Sequence, residues 1–340
     1  MKILLEGETP VTQENFEKLI NYINSGKYSE IVYDNSREHQ AGVLEGDDFF
    51  GILYPALEKN NVTFTVINNG ERNFFPHQPE AYPFVKIIRT PFHFFRHTRN
   101  EFQTMIGNIS DYNVDKFETP FIYLNAKPHP YRCMLMDKMQ KSSAINNCKY
   151  TWTFTQSDME WGGYEFKNWK EHNVHLEPNM TPTTIIHEHY LDVQLKPFAQ
   201  LVSESQLDYF CITEKTAKPI FLKQPFLVFG NVGFHSKLKE LGFKLYTELF
   251  DYGFDIISND EIRAELIVKE FEKLQSVDIY KMYEILKPKL IYNMNHVNTL
   301  CDSYEANKEL VDYIKERIEY FKEPLINKNI HSYYLTKIIL

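Results

Sequence analysis

The sequence predicts an α/β protein made of two open α/β halves with parallel sheets, followed by a helical C-terminal segment. Its 340 residues suffice for about two domains of ~150 residues each. Short strand-like runs alternate with helical patterns in both halves, which is typical of parallel α/β folds. Hydrophobic residues make up 43% and charged residues 24% of the chain, as in ordinary soluble globular proteins. Disordered and membrane-embedded classes are therefore disfavoured.

The first half contains three strand-like runs separated by two helical segments. The strand-like runs are KILLEG, SEIVYD and VTFTVINNG, and the helical segments are TQENFEKLINYINSG and DDFFGILYPALEKNN. Phe16, Leu19, Ile20 and Ile23 recur with the spacing of one helix face. Strands joined by helices of this length predict a parallel sheet. The run PFVKIIRTPFHFF is predicted to add a strand and a loop.

A polar segment, DYNVDKFET over residues 111–119, ends at Pro120 and marks the predicted domain boundary. A second α/β series follows, with FIYLN, YTWTFTQ, AQLVSES and PFLVFGN as strands and YRCMLMDKMQK, TEKTAKPIFLK and SKLKELG as helices. We predict one domain over 1–118, a second over 119–275 and a C-terminal helical segment over 276–340.

The charge and cysteine content narrow the function classes. Thirty-seven Lys and Arg against 46 Asp and Glu give a net charge of -9, which disfavours general coating of nucleic acid, although one basic cleft stays possible. The four cysteines form no C-x-x-C pair and are expected to be reduced. We find neither a signal-peptide pattern nor a run of ~18 apolar residues. A cytoplasmic protein is expected.

The segment FIYLNAKPHPYRCMLMDKM is the first candidate for chemistry. A predicted strand ends at Asn125, a loop carries Lys127, and a helix begins near Arg132. In parallel α/β sheets, ligands bind at the carboxyl ends of the strands, and the start of a helix attracts phosphate. Arg132 would add a two-pronged donor to such a site. The alternative is an ordinary surface arginine on a strand-to-helix loop.

The segment LVSESQLDYFCITEKTAKPIFLK is the second candidate. Glu204 follows a strand, and Thr213 is predicted to cap a helix that begins with Glu214 and Lys215. A carboxylate there can accept both hydroxyls of a ribose, while the lysine reaches phosphate oxygens. The alternative is a plain helix cap with a solvated charge pair.

Together the two segments resemble the α1,3-fucosyltransferase family. That family has a strand ending in Ser-Asn followed by an Arg, and later a block of the form F-E-N-S, a short insert and Y-I-T-E-K. VSES and CITEK occupy the later block here. The longer run ITEKTAKPIFLKQPFLVFGNVG is also similar to uncharacterised glycosyltransferase-like proteins of phages and large viruses. Departures from the family pattern fall at four positions: Leu124, Ser205, Cys211 and Pro219, the last of which is expected to interrupt the start of the helix.

The resemblance implies a GT-B arrangement, in which two Rossmann-like domains face each other across a cleft. It implies a nucleoside diphosphate sugar as donor, GDP-linked by preference, with no tightly bound cofactor, and a carbohydrate or other hydroxyl acceptor. Arg132 would contact the pyrophosphate, Glu214 the ribose and Lys215 a phosphate. The remaining residues of the implied donor pocket are Asn125, Lys127, Glu204, Tyr209 and Thr213.

Metal chemistry is not expected. His187 and His189 are two residues apart and lack the H-E-x-x-H spacing of a helical zinc site, and no D-x-D motif is present. The general base that takes the acceptor proton is poorly marked, with Glu45, Asp48 and His97 as candidates.

Two other functions stay open. The first is a non-catalytic nucleotide-binding or carbohydrate-binding protein with the same fold. The second is a phage DNA-base glycosyltransferase, which would need a basic groove; the residues that could form one are Arg89, Arg96, Arg99 and Lys127.

Overall fold

The computed structural model describes residues 2–6, 13–35, 49–68, 83–89, 93–106, 116–125, 129–151, 193–204 and 207–305. The chain divides into two compact units, one formed by residues 1–93 with 299–340 and the other by residues 94–298. Within the described residues, each unit contains a four-stranded sheet in which all the paired strands are parallel. The predicted α/β class with parallel sheets is confirmed, while the arrangement of two domains across a cleft stays a prediction.

The first unit has the strand order β1-β2-β3-β4. Its elements are β1 (Lys2–Glu6), α1 (Gln13–Asn24), β2 (Glu30–Asn35), α2 (Phe49–Asn60), β3 (Thr63–Asn68) and β4 (Val85–Arg89). On α1, Phe16, Leu19 and Ile23 are buried in one core with the inward residues of α2, β2 and β3. The predicted apolar face of this helix is therefore confirmed.

The second unit has the strand order β6-β5-β7-β8. Its strands are β5 (Thr119–Leu124), β6 (Cys148–Thr151), β7 (Pro197–Ser203) and β8 (Phe226–Phe229). Its helices are α3 (His93–Ile106), α4 (Pro130–Lys141), α5 (Glu214–Phe221), α6 (Phe234–Glu240), α7 (Asp260–Glu272) and α8 (Ile279–Glu305), the last of which continues beyond residue 298. Every residue of β7 and β8 is buried, as expected for strands covered on both faces.

Helix α3 was not expected from the sequence, which predicts a strand and then a loop around PFHFF. Its Phe95 and Phe102 are buried seven positions apart, on one helix face. Phe95 packs against Phe243, and Phe102 packs edge-on against Phe221. The start of this segment is rich in aromatic residues, which is typical of strands. The contacts with distant residues stabilise it as a helix instead.

Pro219 does not interrupt the start of α5, contrary to expectation. The helix runs from Glu214 to Phe221 with Pro219 inside it. Only two helical residues follow the proline, and its carbonyl accepts a hydrogen bond from the Gln224 N–H at 2.9 Å. The proline thus lies in the last turn of a short helix.

A buried histidine and aspartate connect α6 to β8. The Val228 N–H donates to His235 Nε2 at 3.0 Å, and His235 Nδ1 lies 3.0 Å from Asp255 Oδ1. Asp255 Oδ2 accepts from the N–H and the hydroxyl of Ser236, both at 2.8 Å. Because Nε2 accepts a hydrogen bond, the ring is neutral and carries its proton on Nδ1.

Helix α6 is followed by a glycine in a left-handed conformation. Gly242 has a φ of +94°, and a Cβ placed on it would lie 2.7 Å from His296 Nε2 on α8. The same His296 nitrogen lies 2.7 Å from the Leu241 carbonyl oxygen. Gly242 therefore permits a close approach between the end of α6 and helix α8.

Helix α8 accounts for the described part of the predicted C-terminal helical segment. Tyr283, Leu286, Leu290, Met294 and Val297 form its buried face. None of the helices in the described ranges is both long enough and apolar enough to cross a membrane. The four cysteines are free thiols, as expected.

Candidate functional site

Strand β5 and helix α4 form one corner of the candidate site. Asn125 follows β5 directly and is 3% exposed. Helix α4 begins at Pro130, and His129 at its N-cap position makes no side-chain hydrogen bond to the helix. Arg132 lies in the first turn, as predicted, and is 3% exposed. A cation at the start of a helix opposes the helix dipole, and an anionic ligand bound at this corner would offset that opposition.

Several buried polar atoms at this corner form no hydrogen bond of standard geometry. They are Oδ1 and Nδ2 of Asn125 and the hydroxyl of Ser203, at the ends of β5 and β7. The Tyr123 hydroxyl lies beside them and donates to the Arg132 carbonyl at 3.4 Å. Burial raises the pKa of Tyr123, although Asn125, Arg132 and Ser203 offset part of the rise. An unsatisfied buried polar group costs about 1–3 kcal/mol, so these atoms fit a site that water or a ligand completes.

Strand β7 and helix α5 form the second corner, where a buried carboxylate holds the start of the helix. Glu204 Oε1 accepts from the Thr213 N–H at 3.1 Å and from the Thr216 hydroxyl at 2.5 Å. Its Oε2 accepts from the Thr213 hydroxyl at 2.6 Å. The Thr213 oxygen in turn accepts from the Lys215 N–H at 3.2 Å, so the predicted N-cap is confirmed.

Glu214 and Lys215 form a partly exposed ion pair on the first turn of α5. Lys215 Nζ lies 2.7 Å from Glu214 Oε1, and each side chain is 29% exposed. Burial acts to raise the pKa of Glu214, but the positive charges of Lys215 and Lys218 outweigh it and lower the pKa to about 2. Glu214 is therefore an ionised hydrogen-bond acceptor at neutral pH, which is the state that hydroxyl groups of a ligand require.

The two corners lie at the same edge of one sheet. Strands β5 and β7 are neighbours and parallel, with Tyr123 opposite Leu201. Burial raises the pKa of Tyr131 on α4; the charge of Arg132 lowers it, and those of Asp208 and Glu204 raise it further. The start of α4 therefore lies within electrostatic reach of the end of β7. Whether Arg132 and Lys215 reach one phosphate stays a prediction.

The structure gives less detail for the other predicted site residues. Tyr209 is half-buried in the segment before Thr213. His97 lies on α3, but its side chain is outside the described part of the structure. Glu45, Asp48 and Lys127 lie outside the described residues, as do His187 and His189. In the ranges that the structure describes, no group of three or more His, Cys, Asp and Glu side chains could hold a metal ion.

Sequence reasoning missed three polar residues of this site: Tyr123, Ser203 and Thr216. Thr216 is the third residue after the N-cap, a position whose side chain often hydrogen-bonds at the start of a helix, so its spacing from Thr213 was a usable signal. Ser203 and Tyr123 lie within strands and carry no comparable pattern.

Comparison with known proteins gives no family assignment. No protein-family model and no curated protein matches the chain. Among solved structures, T4 phage BGT in complex with its substrate UDP-glucose is 12% identical, with a TM-score of 0.44, over 90% of this chain and 99% of that one. An α1,3-fucosyltransferase is 12% identical, with a TM-score of 0.34, over 85% of this chain and 90% of that one. The α1,3-fucosyltransferase with GDP-fucose has the same TM-score and coverage at 11% identity.

Proposed function

We propose that this protein is a glycosyltransferase that uses a nucleoside diphosphate sugar, GDP-linked by preference, and transfers the sugar to a hydroxyl of a carbohydrate or another acceptor. One observation carries the proposal. The two segments that resemble the fucosyltransferase family are far apart in sequence, yet they lie at one edge of the β6-β5-β7-β8 sheet. Arg132 lies in the first turn of one helix there, and Glu214 with Lys215 begins another.

The chemistry of these groups suits a departing diphosphate. The acceptor oxygen forms a bond to the anomeric carbon, and the bond between that carbon and the diphosphate oxygen breaks with its electron pair on the diphosphate. Arg132, Lys215 and the start of each helix would stabilise the negative charge that develops there. Ionised Glu214 would accept hydrogen bonds from the ribose hydroxyls. Asn125 would complete the pocket with its buried amide.

The acceptor proton must pass to a general base. We place that base among Glu45, Asp48 and His97, in the predicted acceptor domain over residues 1–118 and on α3. The predicted donor-binding domain covers residues 119–275. Single replacement of each candidate identifies the base, because loss of the base should lower turnover without weakening the binding of donor.

A titration with nucleoside diphosphates tests the proposal directly. Thermal unfolding is followed with GDP, UDP, ADP and CDP, each beside its uncharged nucleoside. A ligand at 100 times its Kd adds about 2.7 kcal/mol to the free energy of unfolding. We expect stabilisation by at least one diphosphate, with GDP foremost, and slow hydrolysis of the matching sugar donor. Stabilisation without hydrolysis or transfer would show a non-catalytic binding protein, and no stabilisation at all would overturn the proposal.

Replacement of Arg132 tests the proposed phosphate contact. Arg132→Ala removes a fork of donors from a dianionic group, and loss of one partner of a buried charge pair costs about 2–5 kcal/mol. Binding of the diphosphate should weaken by well over tenfold, whereas binding of the nucleoside should hardly change. Calorimetric titration of both ligands measures the two affinities.

Two further variants serve as controls. Lys141→Ala removes an exposed charge from the last turn of the same helix and should leave both affinities unchanged. Arg132→Lys keeps the charge and loses only the fork, so it guards against misfolding of the alanine variant. Equal weakening of both ligands in a folded Arg132 variant would show that the residue is structural.

A second assay identifies the acceptor. Purified protein and donor are offered a carbohydrate array and, separately, duplex DNA that carries a hydroxyl-bearing modified base. We expect transfer to the carbohydrate class. Transfer to the duplex alone would show a DNA-base glycosyltransferase.

A further inference from the structure

Glu204 is buried, with 1% of its surface exposed, at the carboxyl end of β7. Three groups approach its carboxylate: the Thr213 N–H, the Thr213 hydroxyl and the Thr216 hydroxyl. No lysine or arginine in the described part of the chain forms an ion pair with it. The carboxylate instead lies at the start of helix α5, where the helix dipole favours negative charge.

All three hydrogen bonds to Glu204 are donated to it. A backbone N–H can only donate. The Thr213 oxygen already accepts from the Lys215 N–H, so its own hydrogen is directed towards Glu204 Oε2. Burial raises the pKa of Glu204, while the charge of Lys215 and the hydrogen bonds from Thr213 and Thr216 offset part of the rise. Three incoming donors favour the ionised form of the carboxylate, against the effect of burial.

The oriented Thr213 hydroxyl also determines where the Lys215 side chain lies. Because its hydroxyl hydrogen is held by Glu204, its lone pairs face the Lys215 N–H at 3.2 Å and the Lys215 ammonium at 3.4 Å. The ammonium also contacts Glu214 at 2.7 Å. Lys215 is thus held between the Glu214 carboxylate on its own helix and the Thr213 hydroxyl, which Glu204 has oriented.

We infer that Glu204 is a positioning residue, which acts through the Thr213 hydroxyl to fix the Lys215 ammonium where a diphosphate would bind. The inference rests on the proposed function, because it takes Lys215 as a phosphate contact. Glu204 itself touches no ligand in this scheme. Because Glu204 orders the Lys215 side chain before the ligand arrives, binding costs less side-chain conformational entropy.

Substitutions at Thr213 separate positioning from simple packing. Thr213→Val keeps the shape and removes the hydroxyl, while Thr213→Ser keeps the hydroxyl and removes a methyl group. Thr119→Val is the matched control, since Thr119 is a buried threonine at the opposite edge of the same sheet, where its hydroxyl donates to the Asn147 carbonyl. Glu204→Gln completes the set, because the amide cannot accept all three donors.

Two readouts are used. The first is hydrogen exchange of the Lys215 amide, which should quicken in Thr213→Val and Glu204→Gln and stay slow in Thr213→Ser and Thr119→Val. The second is the ratio of diphosphate affinity to nucleoside affinity. Thr213→Val loses one hydrogen bond of the series that links Glu204, Thr213 and Lys215, so its ratio should fall by about three- to tenfold. Thr213→Ser should restore the ratio of the wild-type protein.

The outcomes distinguish this inference from the proposed function. If the wild-type protein binds no nucleoside diphosphate, the proposed function fails, and the inference fails with it, even if exchange at Lys215 behaves as expected. If the wild-type protein binds the diphosphate and Thr213→Val keeps its affinity ratio, the inference alone is overturned. An equal loss in Thr213→Ser would likewise overturn it, since the hydroxyl would then not be the feature that matters.

Discussion

At the scale of single residues, the pair of Glu214 and Lys215 differs from the exposed ion pairs of this protein. Lys287 and Glu284, for example, are 44% and 68% exposed, and pairs of that kind contribute about 0–1 kcal/mol. Glu214 and Lys215 are less exposed, and Lys215 also contacts Thr213. We therefore expect this ion pair to fix the charges and side-chain positions of a binding site rather than to stabilise the fold.

The depressed pKa of Glu214 gives the first of three further predictions. Since that pKa is about 2, the carboxylate should stay ionised from about pH 4 upwards. Lys215→Met removes the nearer positive charge, so the pKa of Glu214 should rise towards its ordinary value. Carbon NMR titration of labelled glutamate measures both proteins. A Glu214 that titrates alike with and without Lys215 would contradict the assignment.

How much of the site could be predicted at this scale depends on distance along the chain. The N-cap at Thr213 is a local feature and was predictable from Thr followed by Glu and Lys. The hydrogen bonds that Thr213 and Thr216 donate to Glu204 span nine and twelve residues, and they depend on where the end of β7 and the start of α5 lie in the fold. The sequence therefore indicated which residues matter but not that Glu204 acts through Thr213.

At the scale of elements, the strands and helices of regular pattern were predictable and α3 was not. Helix α1 has uninterrupted apolar spacing, so its face was visible in the sequence. On α3 the buried residues include Thr98 and Arg99, which break the apolar pattern that identifies a helix. Tertiary contacts from Phe95 and Phe102 decide its structure, and such contacts have no local signature.

The end of α6 gives the second prediction. Gly242→Ala places a side chain at a φ of +94° and 2.7 Å from His296 Nε2, so it should destabilise the fold by about 1–3 kcal/mol. Chemical denaturation measures the loss. In a double-mutant cycle with His296→Ala, the steric part of the loss should disappear while the backbone part remains. A fully additive double mutant would show that the ring does not constrain this position.

At the scale of the whole molecule, the parallel sheets followed from the alternation of strands and helices. The meeting of the two candidate segments was expected from the family resemblance and from their strand-to-helix junctions, on the condition that both strands belong to one sheet. That meeting depends on β5 and β7 being neighbours, with β6 on the far side of β5 although it lies between them in sequence. Strand order is set by the packing of all the layers together. No local pattern of residues encodes it.

The third prediction concerns stability against pH. Burial lowers the pKa of His235, and the hydrogen bond and charge of Asp255 only partly oppose this. The unfolded chain therefore binds a proton near pH 6.5 more readily than the folded one, so stability should fall as the pH drops below that value. Burial opposes ionisation of Asp255, but its contacts with His235 and Ser236 lower its pKa to about 2. Its contribution should therefore be lost below about pH 4.

Urea unfolding at a series of pH values measures this dependence. His235→Gln removes the titrating ring, so its stability should change less than that of the wild-type protein between about pH 7 and pH 5. Identical slopes for the two proteins would show that His235 does not titrate on unfolding.

The contact between His235 and Val228 also has a consequence for the backbone of the outermost described strand. Strand β8 ends the described sheet, so no strand of the described residues pairs with its outer side. His235 Nε2 accepts the Val228 N–H and so satisfies a buried donor there from within the molecule. Acid that protonates the imidazole would take away this acceptor and leave a buried N–H without its hydrogen bond.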